Sequence, residues 1–507
     1  MSITRRGFIG LAAVVALGRL PGERARAAPL LTGYPFRLGV ASGDPRSDGV
    51  VLWTRLAPEP LADDGFGGMP PVRVPVRWEL AEDENFRRVV RRGDVAADPD
   101  LAHSVHVEVD GLRPGREYWY RFAVRNDISA VGRTKTAGDV PAFKLALVSC
   151  QDWAAGFYTA YRHLAAEGLD LVVHLGDYIY ELGIGSTGGV RGTPLSSAHN
   201  AETLTLDQYR LRYSLVNSDP DLQAALASAP FAVTLDDHDV QDNWAGDTEP
   251  TGMTPENFLR RRAAAFRAAY ENLPLRASSL PIGPDMRMHR RLDYGRLASL
   301  YVLDTRQFRS PLDIGAREDP RRTLLGSEQE RWLLDGLGRS RATWNALANQ
   351  VMMFQLDRLT DPGLQQLNPD TWDGYAAARD RLLGGIVERR VRNPVVLTGD
   401  AHVNCAADLK ADFNDPASAT ISSEFVGTSI TSGRNGADMT AGGREWLAAN
   451  PHLKFFNSQR GYVRCHATER EWRADYLVAD RVTTPGGTVS VRRSFVVEDG
   501  KAGLQDA

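Results

Sequence analysis

The sequence predicts an N-terminal β-sandwich domain followed by a larger α/β domain. From residue 36 to about residue 140, short runs of alternating polar and apolar residues are separated by turn-forming clusters, as in a small sandwich. Beyond that point the apolar runs become continuous and alternate with helical patterns. That change indicates parallel strands whose two faces are covered by helices. A short N-terminal segment precedes both parts and has the pattern of an export signal.

The export signal is predicted at residues 1–27. Arg5 and Arg6 precede Phe8, the apolar run LAAVVALG follows, and ARA ends the segment at 25–27. This order is that of a twin-arginine signal, which a receptor reads and which leaves no stable membrane anchor. The apolar run is too short to span a bilayer. We therefore expect the twin-arginine export machinery as a partner and a periplasmic or secreted location.

Charge and cysteine content argue against a nucleic-acid-binding protein and against a protein held together by disulfides. The formal net charge of the 507 residues is −4, and removal of the arginine-rich leader makes the chain more acidic. No basic run is present, so we expect no nucleic-acid-binding patch. Three cysteines, Cys150, Cys405 and Cys465, are an odd number and do not form a disulfide framework. Cys405 and Cys465 are a candidate pair, which leaves Cys150 to be explained.

The predicted sandwich domain covers residues 28–140. Its strands are read from the alternating runs GVVLWTRL, VRVPVRWEL, HSVHVEVDGL and EYWYRFAV, with turns at SGDPRSDG and LRPGRE. The spacing of Leu, Pro, Gly and two Tyr in LRPGREYWY resembles the turn and strand of fibronectin type III and related immunoglobulin-like domains. The segment AGDVPA is the expected linker to the second domain, which covers residues 141–507.

The second domain begins with a β-α-β unit. FKLALVS is an apolar strand, FYTAYRHLAAEG has helical spacing that Gly168 ends, and LDLVVHL is the next strand. Further strands are predicted at FAVTL, LASLYVL, NPVVLTG and ISSEFVGTS, with helices at 327–338 and 375–390. The C-terminal run YVRCHATEREWRADYLVA alternates like an antiparallel hairpin.

Polar clusters follow four of these strands. They are VSCQD at 148–152, GDYIY at 176–180, DDHD at 236–239 and GDAH at 399–402. Because the ends of parallel strands share one edge of a sheet, we expect the clusters to meet there. Thiolate, phenolate and imidazole suit iron, and carboxylates can bridge two cations or bind calcium. The sequence therefore predicts a metal site at this edge.

Each of these residues also has a structural interpretation. Cys150 can be a small buried apolar residue, Asp177 can cap a helix, and His238 can be a structural histidine. His174 lies within a strand, and we expect it to belong to the core. Asp304 and Arg306 also follow a strand, where they form a structural ion pair or support their neighbours.

The motifs together resemble the alkaline phosphatase D (PhoD-like) family, a branch of the calcineurin-like metallophosphoesterases. The resemblance runs from Phe36 almost to the C-terminus. It includes FRLGVASGDPRSDGVVLWTRL, HLGDYIYE, LDDHDVQDNW, VLDTRQFRS, VVLTGDAHVN, EFVGTSITS and FFNSQRGYVRC. It implies a β-sandwich followed by a metallophosphoesterase domain in which two sheets lie between two helical layers, an α/β/β/α sandwich.

The resemblance also implies the metals and their ligands. The ligands of the ferric ion (Fe³⁺) would be Cys150, Asp177, Tyr180 and His402. The calcium ion (Ca²⁺) would be held by Asp177, Asp237 and Asp400, with Asp236 as the alternative to Asp237. His238 would act on the leaving group, and Arg191, in the loosely matched segment GGVRGTPLSSAHNAE, would bind phosphate. Asp239 stands where the family usually has Glu.

The function that follows is an exported, metal-dependent phosphate-ester hydrolase. In such an enzyme a metal-activated hydroxide attacks phosphorus, and the motifs allow both alkaline phosphatase and phosphodiesterase activity. Phospholipase D-type cleavage within the same family is one alternative. Another is a cell-wall-binding protein whose working part is the sandwich and whose second domain is catalytically idle.

Overall fold

The computed structural model of the protein describes residues 31–361 and 363–507. The predicted signal at residues 1–27 lies outside the described residues and stays a prediction. Among the residues that are described, no helix has both the length and the apolar character needed to cross a membrane.

The strands of the described residues run from Val40 to Asp506. In chain order they are β1 (Val40–Gly43), β2 (Val50–Arg55), β3 (Val74–Ala81), β4 (Val89–Ala97), β5 (Ser104–Val109), β6 (Glu117–Val124), β7 (Asp127–Ile128), β8 (Gly132–Lys135), β9 (Ala142–Val148), β10 (Leu171–His174), β11 (Phe231–Val233), β12 (Arg290–Tyr294), β13 (Ala298–Val302), β14 (Trp344–Asn349), β15 (Pro394–Thr398), β16 (Asn404–Lys410), β17 (Thr420–Val426), β18 (Leu453–Asn457), β19 (Gly461–Thr468), β20 (Glu471–Ala479), β21 (Val489–Glu498) and β22 (Gln505–Asp506).

The described α-helices all follow β9. They are α1 (Thr159–Leu164), α2 (Leu206–Asn217), α3 (Pro220–Ser228), α4 (Pro255–Asn272), α5 (Gly326–Arg339), α6 (Ala376–Glu388) and α7 (Ala441–Ala449). Local sequence explains the starts of two of them. Asp219 accepts backbone N–H bonds at the start of α3, and Thr205 and Gln208 form a reciprocal capping box at the start of α2.

The N-terminal part has two antiparallel layers that share a core. One is the sheet β4-β3-β6-β7, with β8 on β6, and the other is the group β1-β2-β5. Val76 and Tyr120 of the first layer pack in one cluster with Leu52 and Val107 of the second. Membership of the fibronectin type III or immunoglobulin-like class stays a prediction.

The second layer of the N-terminal part continues into a sheet of the following part. β1 pairs in parallel with β11 through Gly43 and Phe231. The described residues thereby form a ten-stranded sheet in the order β22-β21-β20-β19-β9-β10-β11-β1-β2-β5. The two predicted parts of the chain are thus joined by a common sheet.

A second, seven-stranded sheet of the described residues has the order β12-β13-β14-β15-β17-β16-β18. Apolar residues from the facing sides of both sheets, such as Leu145 and Val395, form one core cluster. The outer face of the first sheet packs on α1 to α4, and the outer face of the second packs on α5 and α6. The architecture is therefore a mixed α/β fold with two sheets between helical layers.

The candidate disulfide does not form, because all three cysteines are free. Cys405 packs in the cluster that lies under α5 and α6. Cys465 packs in the cluster between the two sheets. The two thiols thus belong to different layers of the fold, which corrects the pairing considered from the sequence.

Candidate active site

Loops from both sheets meet at the candidate site. β9, β10 and β11 pair in parallel, so their carboxyl ends share one edge. The loops after these strands carry the predicted ligands Cys150, Asp177 and Asp237. The loop after β15 of the second sheet carries Asp400. Its neighbour Gly399 lies so close to the first sheet that a Cβ atom there would be 2.8 Å from Ser149 Oγ.

The backbone is strained where the predicted ligands lie. Four of them have positive φ angles, which residues other than glycine rarely adopt: 56° at Cys150, 53° at Asp177, 59° at Asp400 and 54° at His402. Such strain clusters at functional sites. Gly176 has φ 103°, and a Cβ atom there would lie 2.3 Å from Cβ of Asp236. Only glycine fits this turn.

One set of potential ligands contains a thiol, a carboxylate and an imidazole. The donor atoms of Cys150, Asp177 and His402 all lie within 4.8 Å of one another. The Tyr180 hydroxyl lies beside them, 3.0 Å from Oδ2 of Asp177 and 3.2 Å from Nε2 of His402. The Ser432 hydroxyl donates a hydrogen bond of 2.7 Å to that phenol oxygen.

A second set contains three carboxylates. Donor oxygens of Asp177, Asp236 and Asp237 also lie within 4.8 Å of one another, so Asp177 belongs to both sets. Arg306 Nε donates a 2.5 Å hydrogen bond to Asp236. Asp236 Oδ2 and Asp237 Oδ1 have no hydrogen-bond partner among the described residues. The nearest cation to Asp237 Oδ1 is Arg306 Nη2 at 3.3 Å, which makes an ion pair but no hydrogen bond.

Asp400 lies beside these two sets but belongs to neither. Its Oδ1 is 3.9 Å from Arg306 Nη2. A third set, formed by Asp237, His238 and Asp242, extends outward from the carboxylates toward solvent.

The site concentrates negative charge in a buried place. Burial raises the pKa of Cys150, and the charges of Asp177 and Asp400 raise it further. Burial also raises the pKa of Asp177, with Asp237 adding to the effect. The pKa of Asp400 is raised by burial and then by Asp236. Ionised acids crowded in this way require a cation between them.

Burial favours the uncharged form of both aromatic candidate ligands. Burial lowers the pKa of His402 to about 4, so its ring is neutral at pH 7, as metal binding requires. Burial raises the pKa of Tyr180, and the neighbouring Asp177 raises it further. Deprotonation of that phenol therefore needs a cation within the site.

His238 lies next to the carboxylates with its ring packed on Tyr180. The two ring centroids are 4.2 Å apart, and His238 Nδ1 lies 2.8 Å from Oε2 of Glu181. Burial opposes protonation of His238, but Asp237 and Asp177 outweigh it, and the pKa of the imidazole is well above its ordinary value.

Arg191 is not brought into contact with the candidate ligands. Its Nη1 pairs with Asp219 at 2.5 Å, and its Nε donates to the Trp153 carbonyl at 2.7 Å. The guanidinium lies over the rings of Trp153 and Tyr158. Only Nη2 lacks a hydrogen-bond partner among the described residues. Binding of phosphate by Arg191 stays a prediction that these contacts do not favour.

Residues expected to be structural lie in the core or in ion pairs. His174 is buried and its Nε2 lies 3.1 Å from Oε1 of Gln151. Arg306 does not pair its guanidinium with Asp304, which instead accepts the backbone N–H of Arg306. The guanidinium pairs with Asp236 and, through two hydrogen bonds, with Asp370.

Several residues that support the site were not identified from the sequence. Glu181 and Asp370 are two of them, and Arg460 is a third, because it donates to the His402 carbonyl at 2.8 Å. Asp239 accepts backbone N–H bonds from Asp177, Tyr178, Ile179 and Asp236, all between 2.9 and 3.3 Å. In the sequence, the acidic residue that ends DDHD indicated this role of Asp239. No motif near Asp370 indicated that Asp370 supports the site.

Comparisons with known proteins agree with the motifs. A family model described as PhoD-like phosphatase matches residues 145–476, and one described as PhoD-like phosphatase, N-terminal domain, matches residues 23–138. Alkaline phosphatase D of Bacillus subtilis (strain 168) is 50% identical over 498 residues, covering 94% of this chain and 83% of that protein. A solved structure of PhoD is 49% identical with a TM-score of 0.90, covering 94% of this chain and 93% of that one.

These matches confirm the resemblance that the motifs indicated. They also confirm the conclusion drawn from it about the kind of enzyme. The chain belongs to the PhoD-like phosphatase family and is a metal-dependent phosphoesterase.

Proposed function

We propose that the site holds a pair of metal ions with Asp177 as the shared ligand. The observation that carries this proposal is that Asp177 belongs to both the thiol-imidazole set and the carboxylate set. Ligands of the proposed ferric ion are Cys150, Asp177, Tyr180 and His402. Ligands of the proposed calcium ion are Asp177, Asp237 and Asp400.

The residues present fit such a pair of ions. Thiolate, phenolate and imidazole are donors that suit iron, and carboxylates are donors that suit calcium. The carboxylate oxygens Asp236 Oδ2 and Asp237 Oδ1, which lack hydrogen-bond partners among the described residues, can bind a cation. Since Arg306 donates a hydrogen bond to Asp236 but makes only an ion pair with Asp237, Asp237 is the better candidate for the calcium ligand.

The proposed reaction is hydrolysis of a phosphate ester. When bound, the metal ions would lower the pKa of water and neutralise charge on the phosphoryl oxygens. Water adds to phosphorus in line with the ester oxygen, the P–O bond to that oxygen breaks, and an alcohol and a phosphate are released. We assign to His238 the donation of a proton to the departing oxygen. Its imidazole is suited to this because it lies beside the carboxylate of Asp237 at the edge of the proposed metal site.

The test is turnover by purified, metal-complete protein. We expect hydrolysis of a chromogenic phosphate monoester or diester, and we expect EDTA to abolish it. Comparison of the two esters decides between phosphatase and phosphodiesterase preference, and a choline phospholipid substrate tests the phospholipase D-type alternative. Metal-complete protein that hydrolyses none of these substrates would contradict the proposal and favour an idle catalytic domain.

We also propose that the protein is exported by the twin-arginine route. The support is the order of features in residues 1–27, and this route carries folded proteins, so metals can be inserted before export. Replacement of Arg5 and Arg6 by Lys should retain the phosphatase inside the cell. Unchanged release of that variant would contradict the proposal.

A further inference from the structure

Glu181 is a buried acid beside the proposed proton donor, and the mechanism above gives it no role. We propose that Glu181 is the positioning residue of His238, which turns Nε2 of that ring toward the leaving oxygen. The proposal rests on the proposed function of His238 and deepens it. Glu181 itself touches neither the substrate nor the reacting atoms.

Both oxygens of the Glu181 carboxylate are engaged. Oε2 lies 2.8 Å from His238 Nδ1, and Oε1 accepts a 2.8 Å hydrogen bond from the backbone N–H of Asp242. Asp242 follows His238 in the same loop. One carboxylate thus holds the ring and also the loop that carries it. Glu181 belongs to none of the sets of potential metal ligands found among the described residues.

The main chain of Glu181 is fixed on both sides. Arg212 is buried, and its Nη1 donates hydrogen bonds to the carbonyls of Tyr180 and Leu182, the latter at 2.7 Å. The Glu181 carbonyl accepts a 2.8 Å hydrogen bond from the backbone N–H of Thr203. The Glu181 side chain is 1% exposed. The carboxylate therefore has little freedom to move when His238 moves.

Two contacts together define the orientation of the His238 ring. Packing on Tyr180, with an angle of 31° between the ring planes, fixes the plane of the imidazole. The contact with Glu181 fixes which edge of the ring faces this acid, because Nδ1 lies at hydrogen-bond distance from Oε2. Nε2 is 3.7 Å from Asp242 Oδ1, too far for a hydrogen bond. Nε2 is thus the nitrogen left to face a substrate.

If Glu181 positions His238, the loss of kcat in a Glu181 variant should depend on the leaving group of the ester. An ester of a weakly acidic alcohol needs a proton on the departing oxygen, whereas nitrophenolate leaves without one. We therefore expect Glu181→Ala to lower kcat by roughly 10²-fold for an alkyl phosphate. For p-nitrophenyl phosphate the loss should be less than about tenfold, and KM should change little for either ester.

Glu271→Ala is the matched control. Glu271 is also a fully buried glutamate with both oxygens engaged, in its case by Arg210 and Arg267. It has no contact with His238, so its loss should lower kcat equally for both esters or not at all. Metal content of each variant is measured alongside, because Tyr180 precedes Glu181. Glu181→Gln keeps an oxygen that can accept from Nδ1 and should recover about tenfold of the loss.

A double-mutant cycle shows whether Glu181 acts through His238. We expect Glu181→Ala to add no further loss to His238→Ala, since the group that it positions is already gone. Equal losses for alkyl and nitrophenyl esters, or multiplicative losses in the double variant, would overturn the proposal for Glu181. Wild-type protein without turnover would instead overturn the proposed function, and His238→Ala without leaving-group dependence would overturn the role of His238. Should Glu181→Ala fail to fold, the same comparison is made with Glu181→Gln, for which absence of any leaving-group dependence contradicts the proposal.

Discussion

Replacement of Arg306 by Met removes a buried cation from among the carboxylates of the site. Its side chain is 1% exposed, and it lies 2.5 Å from Asp236, 2.7 Å from Asp370 and 3.3 Å from Asp237. Asp370 retains a second partner, since Arg309 Nη1 is also 2.7 Å away. The change therefore leaves Asp236 as the main uncompensated charge.

The expected loss of stability follows from this one uncompensated charge. Loss of one partner of a buried ion pair costs about 3–5 kcal/mol. At about 1 °C per kcal/mol for a protein of roughly 500 residues, the metal-free variant should melt roughly 3–5 °C below metal-free wild type. Calcium should recover much of the loss, because a cation held by Asp237 and Asp400 replaces the missing positive charge and no longer competes with Arg306.

The assay is thermal unfolding of EDTA-treated and calcium-saturated protein, with Arg210→Met as the control. Arg210 is also buried and makes two 2.7 Å hydrogen bonds to Glu271, which retains Arg267 as a second partner. The control should lose comparable stability, but calcium should raise its melting temperature only as much as that of wild type. If calcium stabilises both variants equally, the cation does not bind beside Arg306 and the reasoning is refuted.

Three further predictions concern the metal site. Iron(III)-phenolate absorbs visible light, so metal-complete protein should be coloured and Tyr180→Phe should lose the band; a band that persists in the variant would show that Tyr180 is not the ligand. Asp239→Asn cannot accept all the backbone N–H bonds that Asp239 accepts, and metal affinity in a competition titration should fall about 10–100-fold; unchanged affinity would contradict this role. Burial raises the pKa of Asp177 and Asp400, so the metal-free folded state binds more protons than the unfolded state above about pH 4 and loses stability as pH rises toward neutrality. The gap in melting temperature between metal-complete and EDTA-treated protein should therefore widen from pH 5 to pH 8, and a constant gap would contradict the raised pKa values.

Local patterns were sufficient to predict most strands and the loops of the site. The run LDLVVHL predicted a buried strand before GDYIY, and the structure has β10 there. The strand β4, by contrast, was not predicted, because its residues VVRRGDVAA place charges on an exposed face. The pairing of Gly43 with Phe231 joins residues 188 positions apart, and no local pattern carries such information.

Contacts between distant residues also limited prediction of the site. The four polar clusters were found because each directly follows an apolar strand. Arg306 was expected to pair locally, yet its guanidinium binds Asp370, which is 64 positions away. Glu181 was visible in HLGDYIYE, but its bond to His238 depends on how two loops fold together. Arg191 is a further example, because nothing in the sequence around it indicated that its partner is Asp219.

The most direct test of the shared metal site is the metal content and activity of Asp177→Asn. Elemental analysis of wild type should find iron and calcium in the protein, and the protein should hydrolyse phosphate esters. The variant should fold but lose both metals and its activity, because one side chain serves both sets of donors. A variant that keeps both metals and hydrolyses esters at the wild-type rate would contradict the account.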